Sequence, residues 1–369
     1  MRLATYNVEN LFDRAKVLNL ATWTEGRPTL EAFAALSALL GEVNYTAARK
    51  AKMAALMTTL GLARSDTGPF VSLRRNRGDL LTRSNGKVTI TSSGRADWSG
   101  TLELRDEPVD DEAMRNCARA IAAADADVLA VVEAESRPVL AAYNAKILAA
   151  MGGAPYRHVM LIDGNDDRGI DVGLMSRDGF PIGPMRSHVD DRQDNGSPVF
   201  SRDCAHFCVA TPAGATVNLL VNHFKSKGFG AQASSNAKRK AQAARVAEIY
   251  DGLVAGGAEL VAVVGDFNDS PDSDPLTPLL TGTTLKDAFA HPAFDDGGFP
   301  GTFGLCSPST KIDYLLLSPA LFARVKAGGL MRKAMWPGVR PKRWETFAEV
   351  TAPAHAGSDH ALAWVDLDV

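Results

Sequence analysis

Short apolar runs rich in Val, Leu and Ile recur along the chain, and longer segments between them carry apolar residues every three or four positions. Runs of the first kind indicate buried strands, and the three-and-four spacing indicates amphipathic helices. Strands are predicted near residues 2–8, 127–133, 157–163, 170–176, 204–211, 216–223, 259–265, 312–317 and 361–366, and helices over 111–124 and 234–254. Because strands are joined both by hairpins and by helices, this order favours a mixed α/β sandwich with helices outside.

The segment that follows the first strand is a long excursion. Its three-and-four spacing predicts helices over Thr29–Leu40 and Thr46–Leu60. The pattern then changes to short strands, at 71–73, 87–91 and 101–104. Asn85-Gly86 lies between two of these runs and is a signal for a β-hairpin.

Two segments are locally basic although the chain as a whole has a net charge of -3. Residues 41–100 hold ten Lys or Arg against four Asp or Glu, which fits either a solvated face or a rim that attracts a polyanion. Met331–Phe347 interleaves Trp336 and Trp344 with cations, which are Arg332, Lys333, Arg340, Lys342 and Arg343. Such a segment could stack bases and hold phosphates, or it could be a loop packed by its tryptophans.

The composition is ordinary for a globular protein, with 46% hydrophobic and 22% charged residues in a chain of 369. No apolar stretch reaches membrane-spanning length, so no stable membrane association is expected. The strand that starts at Arg2 has no charged-then-apolar leader, which predicts a cytoplasmic location. The cysteines contain no Cys-x-x-Cys pair, and we interpret Cys117, Cys204, Cys208 and Cys306 as free, buried thiols.

Polar residues that suit chemistry lie where apolar runs begin or end. They are Asn7, Glu133, His223, Asp266, Asn268, Asp313, Asp359 and His360. Polar side chains at the ends of buried strands are often functional, because the strands hold them rigidly. The set contains oxygen donors for a divalent cation and two histidines that could handle protons, which indicates hydrolysis at phosphorus.

The carboxylates and amides in this set can each be interpreted as functional or as purely structural residues. Glu133 ends a run too apolar to hold an unpaired charge, so a hard cation such as Mg²⁺ is its natural partner, although Glu135 has the same strand parity. Asn7 could give an oxygen to that cation or close the following turn. Asp266 and Asn268 would point to the same side if the strand continued, and could then hold a phosphate oxygen or a water. Gly-Asp-Phe-Asn also suits a simple turn.

The histidines differ in their settings. Asp313 could accept the ring N–H of His360, fix its tautomer and raise its basicity. His223 likewise ends an apolar run, and Lys225 follows it. We interpret the other histidines, 158, 188, 206, 291 and 355, as structural or surface residues. The spacing of His355 and His360 matches no standard zinc signature, so zinc is the weaker alternative.

Taken together, these segments resemble the endonuclease/exonuclease/phosphatase superfamily. The matching stretches keep the family's chain order and are Tyr-Asn7-Val-Glu-Asn, Val-Val-Glu133, Asn-His223-Phe-Lys-Ser, Gly-Asp266-Phe-Asn268-Asp, Ile-Asp313-Tyr and Ser-Asp359-His360. Ser201-Arg202-Asp203 resembles the segment from which deoxyribonuclease-like members place an arginine on phosphate. Asp171 lies where that branch places the carboxylate partner of its first histidine.

The resemblance implies a four-layer α/β/β/α sandwich of two packed mixed sheets. It implies one domain over residues 1–369, with a family-atypical insertion at about 14–110. It also implies Mg²⁺, with Mn²⁺ as a substitute, on Glu133, Asn7 and Asp359. The phosphoryl oxygens would be held by His223, Asn268 and Arg202, with Lys225 beside them.

The leading functional hypothesis is a Mg²⁺-dependent hydrolase of phosphodiester bonds, with a nuclease as its main form. His360, oriented by Asp313, would activate water for in-line attack on a metal-polarised phosphate. Asp266 would orient water or protonate the leaving group. The partner would then be nucleic acid or another phosphodiester. The alternatives are a phosphomonoesterase or lipid phosphodiesterase on the same fold, such as an inositol-phosphate phosphatase or a sphingomyelinase-like enzyme, and a non-catalytic binding module.

Overall fold

The computed structural model describes residues 1–20, 22–228, 231–339 and 342–369. These residues form two compact units. The first unit comprises Met1–Phe12 and Asp110–Val369, and the second comprises Asp13–Val109. The expectation that the chain is a single domain with an insertion stays a prediction.

Helices and strands are numbered in chain order. After β1 (Arg2–Leu11), the second unit contains β2 (Asp13–Ala15), α1 (Trp23–Leu40), α2 (Ala47–Thr59), β3 (Val71–Gly78), β4 (Leu81–Ser84), β5 (Lys87–Ile90), β6 (Trp98–Leu104) and β7 (Asp106–Pro108). Asn85 and Gly86 join β4 to β5 with φ angles of 50° and 76°, so the predicted hairpin is confirmed. Helix α1 begins at Trp23 rather than at Thr29. Its first turns carry no apolar spacing because they are exposed to solvent, and Trp23 itself is 65% exposed.

The rest of the first unit alternates strands and helices. Its elements are α3 (Glu112–Ala124), β8 (Val128–Ala134), α4 (Arg137–Tyr143), β9 (His158–Ile162), β10 (Asp171–Ser176), β11 (Ile182–Arg186), β12 (Cys204–Ala210), β13 (Thr216–His223), α5 (Gln232–Ala255), β14 (Val261–Asp266), α6 (Thr277–Leu280), β15 (Lys286–Asp287), β16 (Phe294–Asp295), β17 (Asp313–Leu317), α7 (Pro319–Phe322), β18 (Val325–Met331) and β19 (Leu362–Leu367). The strands predicted from apolar runs are all present, whereas β11, β15, β16 and β18 were not predicted. These four are short or contain glycine and charged residues, so no apolar run marks them.

Two mixed sheets form the first unit. One has the order β16-β18-β19-β1-β8-β10-β9 and the other the order β11-β12-β13-β14-β17-β15. Strand β1 runs parallel to β8, and β13 runs parallel to β14, while β19 and β17 run antiparallel to their neighbours. The predicted α/β sandwich of two mixed sheets with flanking helices is therefore confirmed.

Apolar side chains at alternate strand positions form the core between the sheets. Leu3 and Val132 come from the first sheet, and Phe207 and Leu219 from the second, all fully buried. This alternation follows from strand geometry, because successive side chains point to opposite faces of a sheet. The outer face of the second sheet packs against α5, where Tyr250 is buried. The rigid double sheet holds the strand ends in fixed positions.

Two further features bear on the sequence predictions. Across the described residues, no helix is long and apolar enough to cross a membrane. The four cysteines are free thiols as predicted, and all but the half-buried Cys208 are buried.

The segment Met331–Phe347 is partly a packed loop. Arg332 is buried and donates hydrogen bonds to the carbonyl oxygens of Asp296, Phe299 and Gly301. The ring of Trp344 meets that of Phe299 edge to face at 5.6 Å. These contacts match the loop interpretation for Arg332 and Trp344, whereas Arg340 lies outside the described residues.

Candidate active site

Strand pairing brings the predicted residues to one end of the two sheets. They are Asn7, Glu133, His223, Asp266, Asp313 and His360. The parallel register of β13 with β14 places His223 beside Asp266, and the antiparallel register of β14 with β17 places Asp266 beside Asp313. On the other sheet, Asn7 of β1 pairs with the residue that precedes Glu133 in β8. Four of these residues lie at a strand end or next to one, whereas Asn7 lies within β1 where its pairing becomes irregular, and His360 lies two residues before β19. Strand pairing carries the set to this edge.

A cavity of about 650 Å³ opens at this edge. Seven predicted residues line it, namely Glu133, Arg202, His223, Asp266, Asn268, Asp359 and His360. Glu9, Arg168, Lys227 and Phe303 also line it. Asn7 and Asp313 contact these residues from behind, and both are at most 2% exposed.

Asn7 ties two carboxylates together at the cavity wall. Its Nδ2 donates to Glu133 Oε1 at 3.1 Å and to Asp266 Oδ2 at 3.2 Å, while its Oδ1 accepts from the backbone N–H of Glu9 at 3.0 Å. His223 Nε2 lies 3.6 Å from Glu133 Oε1 and 3.7 Å from Asp266 Oδ2. The donor atoms of Glu133, His223 and Asp266 lie within 4.8 Å of one another, so together they could hold a metal ion.

Asp266 and Asn268 come together through a turn and not through a continued strand. Strand β14 ends at Asp266, and Asn268 has a φ of 53°. The backbone N–H of Asn268 donates to Asp266 Oδ1 at 2.8 Å, and its Nδ2 donates to Asp266 Oδ2 at 3.1 Å. The segment therefore forms the turn that the sequence also allowed, and this Asx turn brings both side chains to the cavity.

His360 and Asp313 form a buried pair. His360 Nδ1 lies 2.9 Å from Asp313 Oδ2, and the two residues are 5% and 2% exposed. An ionised Asp313 accepts the Nδ1 proton, so Nε2 is the ring nitrogen that faces the cavity. Nε2 lies 3.6 Å from Asp359 Oδ1 and 4.0 Å from Asp266 Oδ2. The predicted orientation of His360 by Asp313 matches this geometry.

Two hydroxyl groups hold this pair in place. Thr302 Oγ1 accepts from the N–H of Asp313 at 3.0 Å, and the carbonyl oxygen of Thr302 accepts from the N–H that follows His360 at 2.7 Å. Ser358 Oγ donates to the carbonyl of Asn7 at 2.7 Å and accepts from the N–H of His360 at 2.9 Å. Thr302 therefore joins Asp313 to the residue after His360 through its hydroxyl and its carbonyl, and Ser358 joins the backbone of Asn7 to that of His360.

The carboxylates raise the proton affinity of their neighbours. Burial, and then the charge of Asp313, raises the pKa of Asp266 to about 7. Burial acts to lower the pKa of His360, but the charge and hydrogen bond of Asp313, with Asp266 and Asp359 behind, outweigh it and raise that pKa to about 10. By contrast, burial and then the charge of Arg202 hold the pKa of His223 well below its usual value, so His223 is neutral near pH 7.

Arg202 lies at the cavity wall as predicted. It is 3% exposed, its Nη1 donates to the carbonyl of Phe224 at 3.3 Å, and its Nε lies 3.1 Å from Asp166 Oδ2. Burial lowers the pKa of Arg202, although the group stays charged. Asp166 also binds Arg168, which places a second guanidinium at the same wall.

Two predicted residues, Asp171 and Lys225, do not line the cavity. Asp171 Oδ1 accepts from the N–H of Gly164 at 2.8 Å, and no hydrogen bond joins Asp171 to His223 in the described ranges. Asp171 Oδ2 and His223 Nδ1 are both buried, and neither finds a hydrogen-bond partner among the described atoms. Lys225 follows the end of β13 and binds Gln242 through its backbone N–H, while Lys227 lies at the cavity wall instead.

Sequence reasoning did not assign Glu9, Arg168, Lys227 or Phe303 to the wall. Glu9 carried a signal, since it lies two positions after Asn7 in the same strand. Its φ of 53° turns the chain there, and the N–H of Asp359 donates to Glu9 Oε2 at 2.9 Å. Arg168 and Phe303 lie in loops, where neither spacing nor an apolar run marks a functional residue.

The donor set at the Glu133 end of the cavity fits a divalent cation. Glu9, Glu133 and Asp359 bring three carboxylates to the same wall. Burial and then the charge of Asp359 raise the pKa of Glu9 to about 7, and burial raises the pKa of Asp359. A cation would offset this crowding of negative charge, and hard oxygen donors suit Mg²⁺ or Mn²⁺.

Comparison with known proteins agrees with this site. Residues 102–360 match the sequence model of the Endonuclease/Exonuclease/phosphatase family, which covers more than half of the chain. The chain therefore belongs to the endonuclease/exonuclease/phosphatase family, and the predicted resemblance is confirmed. It is an enzyme of the class that hydrolyses phosphoric esters. No curated protein sequence matches it.

Solved structures share the fold. A family protein from Bacteroides thetaiotaomicron is 18% identical, with a TM-score of 0.51 over 69% of this chain and 86% of its own. A mannosyl-6-phosphatase from Bacteroides thetaiotaomicron VPI-5482 is 19% identical, with a TM-score of 0.49 over 70% of this chain and 92% of its own. The catalytic domain of human Nocturnin is 15% identical, with a TM-score of 0.47 over 69% and 85%.

Proposed function

We propose that the protein hydrolyses phosphodiester bonds with the help of Mg²⁺ or Mn²⁺, and that nucleic acid is its substrate. One observation carries the catalytic part of this proposal. The buried pair of Asp313 and His360 faces the same cavity as Glu133, His223, Asp266 and Arg202. One space is therefore surrounded by a proton acceptor, by oxygen atoms that can bind a metal and by the buried guanidinium of Arg202. Phosphoester hydrolysis requires such a combination.

The metal would lie on Glu133 and Asp359, with Asn7 holding Glu133 in position. When bound, it would polarise a phosphoryl oxygen and offset charge in the transition state. His360 Nε2 would take a proton from the attacking water, because Asp313 already occupies Nδ1. The carboxylates that raise the pKa of His360 would be neutralised in part by the cation, which favours the neutral imidazole needed for this step.

The remaining residues would stabilise the charge on the phosphoryl oxygens and protonate the leaving oxygen. The neutral His223 would donate to a phosphoryl oxygen from Nε2, and Asn268 and Arg202 would donate to others. Asp266 is protonated in about half of the molecules near neutral pH, because its pKa is raised to about 7. That property supports the role of acid for the leaving oxygen over the role of orienting water.

Charge distribution supports a polyanionic substrate. Residues 13–109 carry 14 Lys or Arg against 10 Asp or Glu, while the other residues carry 26 against 33. Several arginines of the second unit are paired, such as Arg74 with Glu103 and both Arg75 and Arg83 with Asp66. Two arginines share that single carboxylate, so the pairing leaves positive charge that favours a nucleic acid backbone.

A phosphomonoester is the second candidate. The observation that favours it is the pair of arginines at the cavity wall, Arg168 and Arg202. A terminal phosphoryl group has two negative charges near neutral pH, and two guanidinium groups suit it better than they suit the single charge of a diester.

A substrate panel tests the proposal. Purified protein is assayed with single- and double-stranded DNA, RNA, bis-nitrophenyl phosphate, nitrophenyl phosphate and inositol phosphates, each with Mg²⁺ and with EDTA. We expect metal-dependent cleavage of nucleic acid and of the diester, lost in His360→Asn and kept in His206→Asn. His206 is a suitable control because its ring is also held by a side chain, at 2.9 Å from Asn218 Oδ1. Turnover of monoesters with inert nucleic acid would reject the nuclease.

A further inference from the structure

A second arginine lies beside Arg202 and has no role in the reaction described so far. Arg168 lines the same cavity, and Asp166 joins the two arginines. Arg168 Nε donates to Asp166 Oδ1 at 2.9 Å and Arg168 Nη2 donates to Oδ2 at 2.8 Å, while Arg202 Nε lies 3.1 Å from Oδ2. Asp166 therefore holds Arg168 by two hydrogen bonds and contacts Arg202 through charge alone, because Arg202 Nε forms no hydrogen bond among the described residues.

This contact fixes the direction of the Arg168 side chain. Two parallel N–H···O bonds set the plane of the guanidinium, which a single bond would not do. The backbone N–H of Arg168 also donates to Asp166 Oδ1, at 3.1 Å, so the loop and the side chain are held by the same carboxylate. The side chain of Asp166 is only 10% exposed, because the arginines cover it.

The two arginines differ in depth. The side chain of Arg202 is 3% exposed and that of Arg168 is 51% exposed, so Arg202 lies at the floor of the cavity and Arg168 nearer to solvent. Both guanidinium groups reach the cavity, so two cationic groups line this part of its wall. A planar guanidinium matches the spacing of phosphoryl oxygens, so this wall suits a group with more than one anionic oxygen.

An ordinary surface ion pair would look different. Arg192 pairs with Asp190 across the same two-residue spacing and its side chain is 50% exposed, almost as much as that of Arg168. Asp190, however, is 92% exposed, whereas Asp166 is nearly covered. The buried, shared carboxylate is what separates the Arg168 arrangement from a surface pair, which by itself contributes little.

We propose that Arg168 and Arg202 together bind the phosphoryl group of the substrate, with Asp166 as the residue that positions them. This inference rests on the proposed phosphoester hydrolysis and adds a substrate-binding residue to it. Arg202 binds the phosphoryl group at the floor of the cavity, and Arg168 binds it at the rim.

The first test replaces Arg168. Arg168→Gln keeps a polar side chain but shortens it and removes the guanidinium charge, so KM for the hydrolysed phosphoester and the inhibition constant of inorganic phosphate should both rise about tenfold to a hundredfold. The turnover number should change less, because the proton-handling residues are intact. Arg192→Gln is the matched control and should behave as the wild type. Unchanged KM and phosphate inhibition in Arg168→Gln would overturn the proposal.

The second test separates orientation from charge. Asp166→Asn removes a negative charge beside the site, so a purely electrostatic role predicts tighter binding of phosphate. A positioning role predicts weaker binding, because the asparagine amide cannot accept two parallel bonds from Arg168. We expect binding weakened about tenfold in Asp166→Asn and restored in part in Asp166→Glu. Tighter binding in Asp166→Asn would overturn the positioning role.

Calorimetric titration with inorganic phosphate in the presence of Mg²⁺ makes this test independent of turnover. If no phosphoester is hydrolysed but phosphate binds and Arg168→Gln weakens it, the proposed function fails and the two-arginine site stands. If phosphoesters are hydrolysed but phosphate binds the wild type and Arg168→Gln equally, or binds neither, the two-arginine site fails alone. The melting temperature of each variant shows whether it is folded.

Discussion

Without divalent cations, the stability of the protein is expected to fall as the pH rises. Asp266 is 2% exposed, and burial with the charge of Asp313 raises its pKa from 3.8 to about 7. A carboxyl group whose pKa is higher in the folded state binds more protons when folded between those two values. The free energy of unfolding therefore decreases across that window, and a difference of about 3 pKa units corresponds to about 4 kcal/mol. The raised pKa of His360 has the same sign and continues the loss toward about pH 10.

Urea denaturation in EDTA at about pH 5 and about pH 8 measures this effect. Mg²⁺ should restore more stability at the higher pH, because it offsets carboxylate charges that only then are present. Asp266→Asn cannot ionise and should remove the contribution of Asp266 to the pH dependence, while the raised pKa values of Glu9 and His360 leave the rest. Asp274→Asn is the control, since its side chain is 78% exposed and paired with Lys240. A metal-free unfolding free energy that stays constant or increases over this range would refute the reasoning.

Four further outcomes are expected. Asp313→Asn removes the charged acceptor of His360 and should lower kcat by about a hundredfold or more in steady-state assays, and a loss below about tenfold would contradict its role. Glu133→Gln should weaken Mg²⁺ binding at least about tenfold by calorimetry, while Glu135→Gln should not. Thr302→Val should lower both kcat and stability, the latter by about 1–3 kcal/mol, with Thr302→Ser restoring both; equal kcat in the two variants would show that the hydroxyl is not needed. Phe207→Ala opens a cavity between the sheets and should lower the free energy of unfolding, measured by urea denaturation, by about 3–5 kcal/mol. A decrease below about 1 kcal/mol would mean that the surrounding core fills the cavity and would contradict this prediction.

Strand ends explain how much of the site could be predicted from the sequence. Glu133, His223 and Asp266 each follow a run of Val, Leu and Ile, and such runs form buried strands. His223 and Asp266 lie on the adjacent strands β13 and β14, and Glu133 lies on β8 of the other sheet. Strand pairing within each sheet and the packing of the two sheets bring these polar residues together, whatever the loops between them do. Sequence reasoning located these residues because the backbone that carries them is regular.

Turns and loops explain what could not be predicted. The sequence left open whether the strand continues past Asp266, and the positive φ of Asn268, which its own side-chain bond to Asp266 stabilises, shows that it turns. Asp171 accepts a hydrogen bond from a loop amide, that of Gly164. The turn at Asn268 and the contact of Asp171 both depend on local hydrogen bonds, and the pattern of apolar residues does not indicate such bonds.

The division between strand ends and loops also separates the residues that handle protons from those that contact the rest of the substrate. His360 and Asp313 occupy strand ends between two rigid sheets, where a small displacement would cost packing energy throughout the core. Arg168 and Phe303 reach the cavity from loops, and loops accept substitutions and insertions at far lower cost. A chain can therefore keep the proton-handling pair and change the groups that contact the rest of the substrate. It follows that assays on Arg168 variants, rather than on variants of the buried pair, will discriminate between a phosphodiester and a phosphomonoester.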